Sequence, residues 1–209
     1  MLKKIITLFQ LGRKVARSDI LSIISKFQEP PLAVRLLFKV LSFSFFTKKE
    51  TNINQDEGER LSSSLESMGT TFIKLGQFLA TRPDIIGEEL SKKLENLQDK
   101  LPPFSLIQAK EIIKNDLGSD TYNSIIDLSE PVAAASIAQV HKAKINDDGT
   151  IKDVAIKILR PNIKKMFNEE IDAMMLFAFI VESLIKKTKR LKLVEVVFLL
   201  KEITNLEMD

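Results

Sequence analysis

Between Pro131 and Pro161 the chain stops reading as helix, and this one stretch decides its fold class. "VAAASIAQVHKAKI" is built of small and β-branched residues without helical spacing. "NDDGT" (Asn146 to Thr150) follows and reads as a turn, with Asp148-Gly149 supplying its positive-φ position. "DVAIKILRP" then alternates, with Val154, Ile156 and Ile158 on one face and Ala155, Lys157 and Leu159 on the other. These segments predict a β-hairpin with room for a further strand. Apolar residues elsewhere recur at helical spacing. The expected fold is therefore α+β and mostly helical, with a short antiparallel sheet.

The helical part divides at its polar and proline-rich joints. Residues 1–50 read as amphipathic helix broken at Pro30-Pro31, since proline removes a donor and clashes one turn back. "TKKETNINQDEGE" (Thr47 to Glu59) is polar and irregular and marks a boundary. From Glu59 to Arg82 the spacing predicts one helix. Its seam is Leu61, Leu65, Met68, Phe72, Leu75 and Leu79. At about 100° per residue, Thr70, Lys74, Gln77 and Thr81 fall opposite that seam, on a polar face. Gly76 lies between the two faces. It costs about 1 kcal/mol against alanine, a cost better tolerated where another backbone must come close. A second amphipathic helix starts after Pro83 and stops at Pro102-Pro103. A third opens on Ser105 with Gln108 three residues on, a capping-box spacing, and should stop at Gly118. After Asn162 two long helices meet near "KKTKRLK". The expected domains are a basic amphipathic segment (1–58), a helical extension (59–125) and a sheet-bearing part (126–209).

Composition narrows the chemistry. With no cysteine there is no disulfide, thiolate metal site or thiol nucleophile, and one histidine, His141, cannot build a His-rich metal centre. The net charge is +3, but the first 50 residues hold ten basic against three acidic residues, so the remainder is net −4. A basic, apolar leading segment suits an anionic membrane surface, or is simply a solvated helical face. Nucleic acid fits less well, because the cations are scattered among Leu, Ile and Phe. No apolar run approaches the roughly 20 residues of a membrane span, and no secretory cleavage pattern follows the basic start.

Two places could carry chemistry. Lys157 lies on a strand between apolar neighbours, and a buried strand lysine must find an anion, either a phosphate or a structural carboxylate. Ahead of it stand Ala133, Ala134, Ala135 and Ser136, where a kinase would carry a glycine-rich phosphate loop. Alanine forbids the conformations that glycine allows. Read alone, these four are small residues in a crowded strand.

Four motifs in order carry the argument further: Lys74-Leu75-Gly76-Gln77, Ala133 to Ser136, Val154 to Lys157, and Glu207-Met208-Asp209. Together with "LATRPD" and "LQDKLPP" they resemble the UbiB, or aarF, family of atypical protein-kinase-like proteins over roughly Glu59 to Asp209. The resemblance implies a helical extension joined to an incomplete kinase-like small lobe. It implies that Ala133, Ala134, Ala135, Ser136 and Lys157 bind the nucleotide. It further implies that Lys74, Gly76 and Gln77, with Glu207 and Asp209, gate or regulate the site, Lys74 pairing with Glu207.

ATP or ADP with Mg²⁺ is implied for the intact family, whose members support ubiquinone biosynthesis at a membrane. The catalytic-loop aspartate, the metal-binding asparagine and the Asp-Phe-Gly aspartate have no counterpart before Asp209. This stretch is thus expected to hold no catalytic residue or metal ligand, and no phosphoryl-transfer activity of its own. The implied partners are anionic lipid, ubiquinone-biosynthesis proteins or a separate large-lobe chain, with no nucleic acid. The implied location is cytoplasmic, peripheral at the inner membrane. The alternative is a non-catalytic helical module that binds a membrane surface or a protein partner.

Overall fold

The computed structural model describes residues 6, 9–10, 12–14, 57–95, 97, 101–184 and 186–209. The expected break at Pro30-Pro31 and most of the polar boundary from Thr47 lie outside the described residues. The chain forms two compact units. One takes residues 1–98, 165–207 and 209, the other residues 99–164 and 208. These cut the chain differently from the sequence boundaries at 58 and 125: the helix that opens on Ser105 belongs with the sheet, and the last two helices belong with the helical extension.

In the helical unit the stretch expected to be one helix is two, α1 (Glu57–Met68) and α2 (Thr70–Ala80). Gly69 breaks it, at φ 102 and ψ −176. That backbone region is essentially closed to side-chain-bearing residues. From there its carbonyl accepts from the Phe72 and Ile73 amides and starts α2 without a side-chain cap. Gly69→Ala meets no neighbouring atom, so strain alone is expected to cost about 2 kcal/mol. A urea-unfolding midpoint at the wild-type value would count against this.

The expected polar face of α2 is not a surface. Thr70, Thr71, Ile73 and Lys74 are buried along with Phe72, because α1, α4 (Glu88–Leu94) and α7 (Leu193–Glu207) all pack on this helix. A Cβ on Gly76 would come 2.7 Å from Leu97 Cδ2 and 2.8 Å from Leu65 Cδ1. Leucine side chains rather than a second backbone therefore exclude a side chain here. The short α3 (Pro83–Ile86) leads into α4, and Ser91 of α4 donates to the Ala80 carbonyl at the end of α2. The expected helix after Pro83 is thus α3 and α4, separated at Gly87. The long α6 (Ile163–Leu184) buries Phe167, Ile171, Met174 and Ala178, spaced 4, 3 and 4. A 3-10 turn (Lys186–Leu191) leads into α7, whose Val194 amide is capped by the Glu182 carboxylate.

The sheet unit follows its sequence more closely. Ser105 Oγ caps α5 (Leu106–Asn123) by accepting from the Gln108 amide. Gly118 kinks α5 instead of ending it. Strands β1 (Ile125–Ala134), β2 (Ala138–Asp147) and β3 (Thr150–Leu159) form an antiparallel sheet in that order. The β2–β3 hairpin closes on Asp148 (φ 48) and Gly149 (φ 89), a two-residue turn with both central residues left-handed. Asn146 Oδ1 accepts from the Gly149 amide and braces it. One sheet face packs on α5, where Ala109, Ile113 and Ile158 form the core beneath Phe104, Leu128 and Ile156.

Candidate functional site

The sequence-derived site residues fall into two sets, one on each unit. In the sheet unit the ladder pairs Ala133 with Val140 and Val140 with Lys157. Paired residues share a face, so Ala133, Val140 and Lys157 stand across three strands on the face opposite α5. Ala133, Ala155 and Lys157 are exposed there. This corrects the reading of Lys157 as a buried strand lysine. The Val154–Ile156–Ile158 face packs on α5, and Lys157 stands exposed on the opposite face.

The Ala133–Ser136 segment runs from the end of β1 into a tight turn, closed by the Ala135 amide donating to the Ala138 carbonyl at 2.8 Å. Its side chains run from exposed (Ala133) to buried (Ser136). The turn is held from behind by Arg160, which sequence reasoning assigned no role. Arg160 Nε donates to the Ala135 carbonyl at 2.9 Å, Nη1 to Pro102 at 3.0 Å and Nη2 to Leu101 at 3.2 Å. Its own amide donates to the Ile137 carbonyl. One guanidinium thus fastens the alanine turn to the segment before α5. No periodicity marks such a residue, since its side-chain partners lie 25 to 59 positions away.

The covered face holds a polar network that the sequence also does not announce. Gln139 Oε1 accepts from the Phe104 amide at 2.9 Å, and its Nε2 donates to the Phe104 carbonyl at 3.1 Å. The second Nε2 hydrogen points at His141 Nε2, 2.9 Å away. His141 Nε2 is then the acceptor, so Nδ1 carries the proton and donates to the Ser129 carbonyl at 2.7 Å. Gln139 and His141 are 1% and 0% exposed. The sole histidine is a structural bolt beneath the sheet rather than a ligand.

In the helical unit Lys74 Nζ donates to Glu207 Oε1 at 2.7 Å, joining the middle of α2 to the end of α7. The pair is asymmetric, with the lysine side chain 8% exposed and the glutamate 41%. Gln77, one turn on from Lys74, is half-buried, and Asp209 is exposed. No three His, Cys, Asp or Glu side chains stand together as a metal site among the described residues. No described helix is long and apolar enough to cross a membrane.

Comparison with known proteins agrees with these motifs. Residues 96–209 match the ABC1 atypical kinase-like domain. Over 169 residues the chain is 36% identical to the probable protein kinase UbiB of Shewanella baltica, an overlap covering 80% of this chain and 30% of that protein. Over 156 residues it is 38% identical to the probable protein kinase UbiB of Vibrio cholerae, covering 74% and 28%. The chain spans about 30% of the length of the curated relatives it matches. No solved structure matches it.

Proposed function

The chain belongs to the ABC1 atypical kinase-like family, and from that footing we propose that its sheet unit binds the phosphates of an adenine nucleotide. The observation that carries this reading is the outer sheet face. Lys157 is presented there across Val140 from Ala133, beside a turn of small residues held by Arg160. Alanine side chains let a flat base or a phosphate approach the strands, and the lysine supplies the charge. A charge-assisted contact of this kind is worth about 1.5–3 kcal/mol. Lys157 would hold the phosphates and the Ala133–Ser136 turn would cover them. Mg²⁺, which the family resemblance implies, finds no cluster of ligands among the described residues.

In the same reading Lys74, Gly76 and Gln77 act as a regulatory element. Lys74 keeps the Glu207 carboxylate engaged at 2.7 Å, and Gly76 lets α2 sit close enough to Leu65 and Leu97 to hold it there. The chain then serves as part of a UbiB-like atypical kinase or ATPase that supports ubiquinone biosynthesis at a membrane. These residues bind nucleotide without turning it over by themselves.

The test is a thermal-shift titration with ADP and ATP on wild type and Lys157→Ala. At a hundredfold excess over Kd, binding stabilises by about 2.7 kcal/mol, several degrees for a domain of this size. Lys157→Ala should weaken it by about tenfold to a hundredfold, with no ATP turnover by either protein. Equal shifts for the two proteins, or turnover above the Lys157→Ala background, would sink the proposal.

A second reading rests on the leading segment. Ile6 and Phe9 are 48% and 52% exposed, and Arg13 lies over the Phe9 ring. An amphipathic helix of this kind suits a membrane surface. Lys14 takes no part in such a surface, because its Nζ donates to the Met68 carbonyl at 3.1 Å and to Glu170 at 2.8 Å.

A further inference from the structure

The cations that follow α6 are separate from both sets of site residues. From Lys186 to Lys192 the chain carries five lysine or arginine residues in seven, and no acidic one. Lys189 and Arg190 are exposed. Arg190 also lines a cavity of about 190 Å³ within the helical unit, together with Arg82, Asp84, Lys192, Glu195 and the apolar Leu199. Both carboxylates in that lining are already engaged. Asp84 accepts from Arg82 through both oxygens, at 2.8 and 2.7 Å, and this hydrogen bonding holds its carboxyl below the ordinary range. Glu195 pairs with Lys192 at 2.9 Å, which raises the lysine. Arg190 has no acidic partner among the described residues, so one full positive charge at the cavity is uncommitted.

Immediately before this turn, α6 turns large apolar side chains to solvent. Leu176, Phe179 and Ile180 are 44%, 61% and 40% exposed. Their spacing of three and four makes them one patch on the helix surface. An exposed apolar patch on the helix that leads into a turn with exposed Lys189 and Arg190 fits an anionic bilayer. The apolar side chains enter the acyl boundary while the cations meet the headgroups. A soluble acidic partner would satisfy the cations and leave Phe179 and Ile180 unexplained. A second copy of this chain would bring like charge to like charge.

We propose that the end of α6 and the 3-10 turn form an anionic-lipid docking surface, with Arg190 seating a lipid phosphate at the cavity. This surface uses none of the residues of the nucleotide reading.

The test is co-sedimentation of the full chain with vesicles of phosphatidylcholine, with and without phosphatidylglycerol. The proteins are wild type, Lys189→Gln/Arg190→Gln, Phe179→Ser, and Lys3→Gln/Lys4→Gln. A juxtamembrane cation strengthens binding roughly fivefold. The Lys189→Gln/Arg190→Gln protein should therefore lose about 25-fold of its partitioning onto anionic vesicles. Phe179→Ser should lose about tenfold or more. Both should keep the wild-type melting temperature and ADP response. Added salt should weaken wild-type binding. Three results would overturn the surface. One is unchanged partitioning of both variants, with any loss confined to Lys3→Gln/Lys4→Gln. Another is equal binding to uncharged vesicles. The third is self-association of the wild type that Phe179→Ser abolishes without change in vesicle binding.

Discussion

His141→Ala is expected to lower the stability of the sheet unit by about 3–4 kcal/mol, the largest single-site effect argued for this chain. The ring is 0% exposed, so its removal leaves a cavity. Two groups also lose partners: the half-buried Ser129 carbonyl, which accepts from Nδ1, and the buried Gln139 Nε2 hydrogen directed at Nε2. An unmade buried hydrogen bond costs about 1–3 kcal/mol. His141→Phe separates these contributions, since it fills the space and leaves both polar groups unpaired. Urea unfolding should show His141→Phe destabilised by about 2 kcal/mol or more. A phenylalanine variant as stable as wild type would show that the ring acts only by packing.

Lys74→Ala is expected to cost about 2–3 kcal/mol, and a double-mutant cycle with Glu207→Ala should return a coupling of about 2 kcal/mol. The figure lies between two limits: exposed pairs give less than about 1 kcal/mol, whereas breaking a fully buried pair costs about 3–5 kcal/mol. Here only the lysine is buried, at 8% against 41% for the glutamate. Solvent around Glu207 therefore screens the interaction, and a value near the buried limit is not expected. The remainder of the Lys74→Ala loss comes from its aliphatic stem, which packs inside the helical unit. Additive single effects in the cycle would mean that the 2.7 Å contact contributes nothing to holding α2 on α7.

How much of this was legible follows from how each element is covered. The β2–β3 hairpin was readable because one sheet face packs on α5 and the other carries the exposed Ala155 and Lys157, so alternation in "DVAIKIL" survives in the sequence. The Asp148-Gly149 turn was readable because only a few residue types tolerate left-handed backbone. Helix α2 was not readable as it stands. An apolar seam reports a buried face only when the opposite face meets water, and here three helices surround Lys74 and Thr70. The break at Gly69 was hidden because the 4-3-4 spacing runs through it without a gap. Lys157 was placed on its strand but given the wrong environment, since strand alternation does not say which face a helix will cover. Arg160, Gln139 and His141 work through backbone carbonyls and amides distant in sequence, and such contacts leave no spacing to read.

The most direct measurement is amide hydrogen exchange across the chain with and without saturating ADP. The account predicts slowed exchange at Ala135 to Val140 and along β3 around Lys157, with the amides of α6 and the 3-10 turn unchanged. Protection confined to the helical unit, or absent under conditions where ADP binds, would contradict the nucleotide reading of the outer sheet face.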